Sequence, residues 1–224
     1  MNMSRRCKWR LFSVVPFVLL FLTVAIPTRA DLQGAPAVNL TNITYKGTIG
    51  DYCMGWQFDV LQPVNVTALG VADWPGHFPN GSAVGIWNND GTLLASTIVM
   101  PTDPKDGTTV FRFKELSYPV RLEIGNDYVI GAVIANGMWY SNAPSEPTGW
   151  SVNPLINYDL QRPRYISGNT LQYPMYSSTN PNGKYGYFGP NFLLEPVPEP
   201  ALLQLPFLLG MGGVGFWWRR RRSQ

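Results

Sequence analysis

Val84-Gly85-Ile86-Trp87-Asn88-Asn89-Asp90-Gly91-Thr92-Leu93-Leu94-Ala95-Ser96 reads as two β-strands joined by a tight turn, and this reading decides the fold. Asn88-Asn89-Asp90-Gly91 tolerates the positive φ that a hairpin demands, while the flanking residues are apolar and β-prone. The same punctuation recurs outward in both directions. Short β-type runs lie near 41–47, 53–60, 64–72, 82–88, 92–99, 108–114, 119–124 and 127–135, and no segment sustains a capped 3.6-residue period. Eight such runs at roughly ten-residue spacing predict an all-β fold, an antiparallel β-sandwich of jelly-roll or immunoglobulin-like type. Alternating apolar residues fill its core, Trp87 among them.

Beyond 135 the pattern changes. Gly, Pro, Asn, Ser and Tyr dominate residues 136–187, which predicts a long loop region. Part of it packs over the sandwich through Trp139, Tyr140, Trp150, Tyr158, Tyr165 and Tyr173, because a structureless loop of that length is rare in a folded domain. A last strand over 187–194 returns to the sheet.

Composition excludes several classes. The 224 residues are 45% hydrophobic and 14% charged, too apolar for a disordered chain. The formal charge of +3 comes from the ends: nine of the 17 Lys and Arg lie in residues 1–30 and 219–222. Residues 31–194 hold eight basic against 12 acidic residues, which argues against a nucleic-acid-binding face.

Both ends read as sorting segments. Arg5, Arg6, Lys8 and Arg10 precede an apolar stretch from Leu11 to Ile26 that closes on Pro27-Thr28-Arg29-Ala30. That is the layout of a signal peptide for the Sec translocon, cleaved between Ala30 and Asp31; the alternative is an uncleaved anchor. Cys7 leaves with the leader, so Cys53 is the only cysteine of the body and no internal disulfide forms there. A buried thiol on a strand is expected. At the other end Val197-Pro198-Glu199-Pro200 precedes apolar Leu202–Trp218 and then Arg219-Arg220-Arg221-Arg222. Seventeen residues rise about 25 Å as a helix, the short limit for a membrane span, and the arginines stay cytoplasmic. The two prolines hold the motif extended outside the membrane, open to an enzyme. An ordinary single-pass anchor is the alternative. The chain thus divides into 1–30, a body over 31–194, and a stalk with helix and Arg cluster over 195–224.

This terminus resembles the PEP-CTERM sorting signal of exported bacterial proteins, with Gly210, Gly212, Gly213 and Gly215 supplying the glycine-rich helix. The resemblance implies that an exosortase, a membrane-embedded cysteine transpeptidase, recognises and processes the tail in bacteria that make extracellular polysaccharide. The body has its own resemblance. Val66-Thr67-Ala68-Leu69-Gly70-Val71, the Val84–Ser96 hairpin and Gly125-Asn126-Asp127-Tyr128-Val129-Ile130-Gly131 look like an uncharacterised extracellular β-sandwich domain of unknown function, over about residues 50–194. A His often stands just before the Val-Gly-Ile-Trp segment in that family; here Ser82-Ala83 occupies the place.

Little in the body points to chemistry. His77 is the only histidine, which excludes His-rich zinc sites, and it sits in the Pro/Gly-rich loop 73–81. No nucleophile elbow, phosphate loop or HExxH helix occurs. Asp103 and Asp106 match no dedicated calcium loop and read as a solvated turn. No metal and no cofactor is expected. Aromatic loops are the best ligand candidates, through Trp74, His77, Trp139, Tyr140 and Trp150, since exposed rings stack on sugar faces. The expectation is a non-enzymatic, exported cell-envelope or extracellular-matrix protein with a structural or adhesive role, held in the membrane by its C-terminal helix before processing. Carbohydrate binding to extracellular polysaccharide is the alternative. A glycosidase, needing two acids about 5–10 Å apart, is the third.

Overall fold

The computed structural model describes residues 32–40, 47–48, 52–73, 78, 80–134, 139–140, 150–177 and 187–198. Among them no residue is helical. The strands are β1 (Ala35–Pro36), β2 (Val38–Leu40), β3 (Gly47–Thr48), β4 (Tyr52–Val60), β5 (Val64–Ala72), β6 (Ser82–Asn88) and β7 (Leu93–Val99). They continue with β8 (Phe111–Leu122), β9 (Asp127–Ile134), β10 (Trp139–Tyr140), β11 (Trp150–Val152), β12 (Ile156–Ser167), β13 (Tyr176–Ser177) and β14 (Pro190–Pro196). A six-stranded sheet runs β13-β12-β4-β9-β6-β7 and a four-stranded one β1-β14-β5-β8, with β3–β10 and β2–β11 as separate pairs. All pairings are antiparallel.

Alternation explains how the sheets meet. Met54, Trp56, Phe58 and Val60 of β4 belong to one apolar cluster with Phe188, Phe192 and Leu194 from the other side. The Trp56 ring stacks on Phe192 at 5.8 Å between centroids, and Phe58 reaches the same ring at 4.9 Å. Trp56 belongs to the six-stranded sheet and Phe192 to the four-stranded one, so the two share a core in a sandwich-like arrangement. Each such ring contributes on the order of 2–3 kcal/mol by leaving water. Trp56 Nε1 also donates to the Pro190 carbonyl at 3.0 Å, which satisfies its polar handle inside the core.

Two polar ties close the structure. Asn191 is fully buried; its Nδ2 donates to Val38 O at 2.7 Å and its Oδ1 accepts from Val38 N at 3.2 Å. One amide thereby satisfies both backbone groups of Val38 on the side of β2 away from β11. Where the chain crosses from β8 to β9, Tyr128 OH accepts from Glu123 N at 2.9 Å and donates to Glu123 O at 3.3 Å.

The expected β-runs 53–60, 64–72, 82–88, 92–99 and 127–135 correspond to β4, β5, β6, β7 and β9. Most of 41–47 lies outside the described residues. Four expectations change. The runs 108–114 and 119–124 are one strand, β8, bulged between the pairs Ala68–Glu115 and Val66–Val120, where Pro119 cannot donate to a ladder. The presumed loop region 136–187 contains the 12-residue strand β12, paired to β4 and bulged between Tyr158 and Pro163. Trp87 is buried yet absent from the shared core: Val84 and Ile86 point inward, so strand alternation sends Trp87 to the outer face. The turn at 101–107 is not plainly solvated. Asp103 is buried, accepts from Met100 N at 2.8 Å and pairs with Lys114 Nζ at 3.1 Å.

Candidate functional site

The outer face of the six-stranded sheet carries an unusual row. Gly55 of β4 lies opposite Gly131 of β9, which lies opposite Gly85 of β6, with Arg164 and Ser96 at the two ends. Three registered glycines make a shallow trough. The Trp87 ring lies in it, since a Cβ on Gly85 would meet the indole at 2.6 Å and one on Gly131 would meet it at 3.3 Å. The segment 168–177 then crosses this face as a strap. Pro174 seats against Gly131, and Tyr173 meets Trp87 edge-on at 6.2 Å. Burial under this cover pushes the Cys53 thiol up to about 11, against a smaller lowering by a hydrogen bond from the Gln172 backbone.

Beside the strap, the β6–β7 turn and the 123–126 crossover enclose an open depression of about 480 Å³ lined by Asn88, Asn89, Asp90, Gly125, Asn126 and Asp127. The turn geometry follows from its sequence. Asn88 O accepts from Gly91 N at 3.0 Å, Gly91 takes φ of 89°, and Asp90 Oδ1 accepts from Thr92 N at 2.8 Å. That hydrogen bond holds the Asp90 carboxyl below its ordinary range.

A connected network backs the depression. Arg164 Nε donates to Gln57 Oε1 at 2.9 Å, with Nη2 on the same oxygen, and Gln57 Nε2 donates to Asp127 Oδ2 at 2.9 Å. Asn89 N donates to Asp127 O at 3.0 Å, and Tyr173 OH donates to Asn89 O at 2.8 Å. Burial raises the Tyr173 phenol above its usual range; Arg164 opposes this, and Asp90 and Asp127 add to it. Amide, carboxylate, guanidinium and phenol groups are thus held in fixed positions around a polar hollow with aromatic rings alongside. Such a set can hydrogen-bond ring hydroxyls. Among the described residues no group of three or more His, Cys, Asp or Glu side chains could hold a metal.

The expected site residues are placed as follows. Trp74 and His77 lie outside the described residues. Asp73, just before them, is pinned by Arg112 Nη2 at 2.8 Å and Lys105 Nζ at 3.6 Å. Trp139 and Tyr140 form β10 opposite Thr48 and Gly47, and Trp150 of β11 lies opposite Leu40, so the topology puts them on two different ladders. Their side chains are outside what is described. Val197 N donates to Pro63 O at 3.0 Å and Pro198 is exposed. Glu199, Pro200, Arg219–Arg222, Ala30, Asp31 and the segments 1–30 and 202–218 lie outside the described residues. Among the described residues no helix is long and apolar enough to cross a membrane. Sequence reading missed Gln57, Asn126, Asp127, Arg164 and Tyr173 as site residues. The Asn88–Gly91 and Gly125-Asn126-Asp127 turns were the available signal, but they signal turns, and nothing local says that they converge. A second hollow of about 190 Å³ is lined by Gln33, Thr67, Glu115, Leu116, Pro119 and Glu195.

Two antiparallel sheets around one apolar core, with polar turns gathered at a strapped outer face, define an all-β, sandwich-like domain. The chain belongs to the family described as Domain of unknown function (DUF4082), whose profile matches residues 41–187. No curated protein and no solved structure matches it.

Proposed function

We propose that this is an exported bacterial cell-surface or extracellular-matrix protein, a β-sandwich of jelly-roll or immunoglobulin-like type with a structural or adhesive role. It leaves through the Sec translocon, is held by its C-terminal helix, and is processed by an exosortase-like transpeptidase. The observation that carries this reading is the run from Val197-Pro198-Glu199-Pro200 through the apolar 202–218 segment to Arg219–Arg222. The fold supports it: β14 ends at Pro196, directly before the motif, so the body does not incorporate Pro198 in a strand. The body contributes no catalysis in this reading; its tail is a substrate. Intact-mass and terminal-peptide spectrometry on protein from the envelope and medium of its host tests it. A C-terminus within 197–201 is expected. A chain still ending at Gln224 would overturn the processing.

The depression favours one second reading, a module that binds extracellular polysaccharide. Its fixed amides and carboxylates supply hydrogen bonds, and half-buried Tyr173, bonded to Asn89 at its rim, stands where a sugar's apolar face would lie. Titration of the full chain with purified matrix polysaccharide, followed by tryptophan fluorescence, is expected to saturate and to weaken at least tenfold in Asn88→Ala and Asn126→Ala. A flat titration of the unaltered protein would end this reading.

A further inference from the structure

Strand register puts the C-terminal stalk and several loops at one end of the body. Pro196 of β14 lies opposite Val64 of β5, and Val64 lies opposite Leu122 of β8. Val197 N then donates to Pro63 O at 3.0 Å, so the stalk leaves level with the 61–63 loop and with Glu123. The 123–126 crossover joins the two sheets at this same end, and Leu61 N donates to Leu155 O at 2.9 Å beside it. The body also begins here, because Ala35 of β1 lies opposite Leu194 of antiparallel β14. Two large apolar side chains stand out from these loops: Leu61 is 53% exposed and Ile124 58%. The turn 101–107, where β7 ends and β8 begins, lies at the opposite end.

The chain between this end and the apolar segment is short. Only residues 198–201 separate Val197 from Leu202, and two of the four are proline. Five steps of extended chain at polyproline rise reach about 16 Å, of which the headgroup layer of one leaflet takes about 5–7 Å. We infer that the stalk end of the body is a membrane-contacting face, with Leu61 and Ile124 set into the headgroup layer of the bilayer that holds residues 202–218. The inference rests on the reading of 202–218 as a membrane helix and not on the sugar reading. The stalk leaves the body at most about 10 Å above the headgroups, a gap that a tilt of the body and the loop tips close, and two apolar side chains leave water when they do so. Charge is not the attraction. Glu123 is paired with Arg121 at 2.6 Å, and Asp90 and Asp127 belong to the hollow. The hollow, lined in part by Gly125 and Asn126 of the crossover, borders the same face, so cutting the tail frees it from the bilayer.

The full chain, reconstituted in phosphatidylcholine vesicles that carry a photoactivatable diazirine in the headgroup, tests this through mass mapping of the labelled peptides. Label is expected on the peptides holding Leu61 and Ile124, at least fivefold above the peptide holding residues 101–107. Label on neither loop, in a chain that floats with the vesicles, would overturn the contact and leave the membrane helix standing. A chain that does not float would overturn both. Twelve Gly and Ser residues inserted between Pro200 and Ala201 add about 19 Å of mean reach, and label at Leu61 and Ile124 should then fall at least threefold. Undiminished label in that variant would overturn the part given to the short stalk.

Discussion

Asn191 and Cys53 show how single side chains govern this fold. Asn191 does the work of a missing strand, since its amide occupies both backbone groups of Val38 and its Oδ1 also accepts from Phe192 N at 2.9 Å. Asn191→Leu strands buried donors and acceptors and should cost about 2–4 kcal/mol in urea denaturation. Half-buried Asn39, whose Nδ2 donates to Ser151 Oγ at 3.2 Å in an exposed hydrogen bond, should cost no more than about 1 kcal/mol as Asn39→Ala. Cys53 links stability to alkaline pH. The folded thiol keeps its proton up to about 11 where an open chain releases it near 9.0. Its contribution is therefore whole below pH 9 and disappears as pH rises to 11, by about 2–3 kcal/mol at 1.4 kcal/mol per unit. Denaturation curves of the native chain and Cys53→Ala across that window should converge in slope below pH 9 and diverge above it. In the folded protein at pH 8 the thiol should resist alkylation, read by peptide mass.

Among the elements, the strap 168–177 and the sheet face beneath it depend on each other. The glycine row leaves room for the Trp87 ring and Pro174, and the backbone of Gln172 in the strap hydrogen-bonds the buried Cys53. A methyl on Gly131 would come within 3.0 Å of Pro174 Cγ and 3.3 Å of Trp87, while one on Gly55 would come within 1.7 Å of the Ile130 carbonyl. The first can be relieved by lifting the strap; the second strikes backbone. Gly131→Ala should therefore fold, with red-shifted tryptophan emission and faster alkylation of Cys53, whereas Gly55→Ala should fail to give a cooperative fold. Equal behaviour of the two would show that the strap is not seated on Gly131. The β8-to-β9 crossover rests on the Tyr128 hydroxyl, and Tyr128→Phe should lose roughly 1–2 kcal/mol by leaving Glu123's backbone unpaired.

Across the whole molecule, the shared core makes the two sheets one cooperative unit. Phe192 comes from the four-stranded sheet yet packs on Trp56 and Phe58 of the six-stranded one. Phe192→Ala should lower stability by about 3–5 kcal/mol and move the far-UV circular dichroism and tryptophan fluorescence transitions together. Separate transitions would mean that each sheet melts alone. The same arrangement leaves one outer face of the six-stranded sheet strapped, with the polar hollow beside the strap.

Local order was legible because strand alternation and Asn-Asp-Gly turns are encoded within a few residues: β4, β5, β6, β7 and β9 and the all-β class follow from that alone. β12 was not, because Asp159-Leu160-Gln161-Arg162 inserts four residues between its halves and Pro163 interrupts the ladder, and only pairing with β4 makes the two halves one strand. Trp87 went to the wrong face because hydrophobicity does not say which side of a strand has a second sheet over it. The convergence of Gln57, Asn89, Asp127, Arg164 and Tyr173, and the registry of Gly55 with Gly131 and Gly85, depend on which strands are neighbours. Sequence by itself determined the class of fold and the turns, since each is a short-range pattern. Only the tertiary structure decided the trough and the hollow, because each is made by strand order and register, which long-range packing selects.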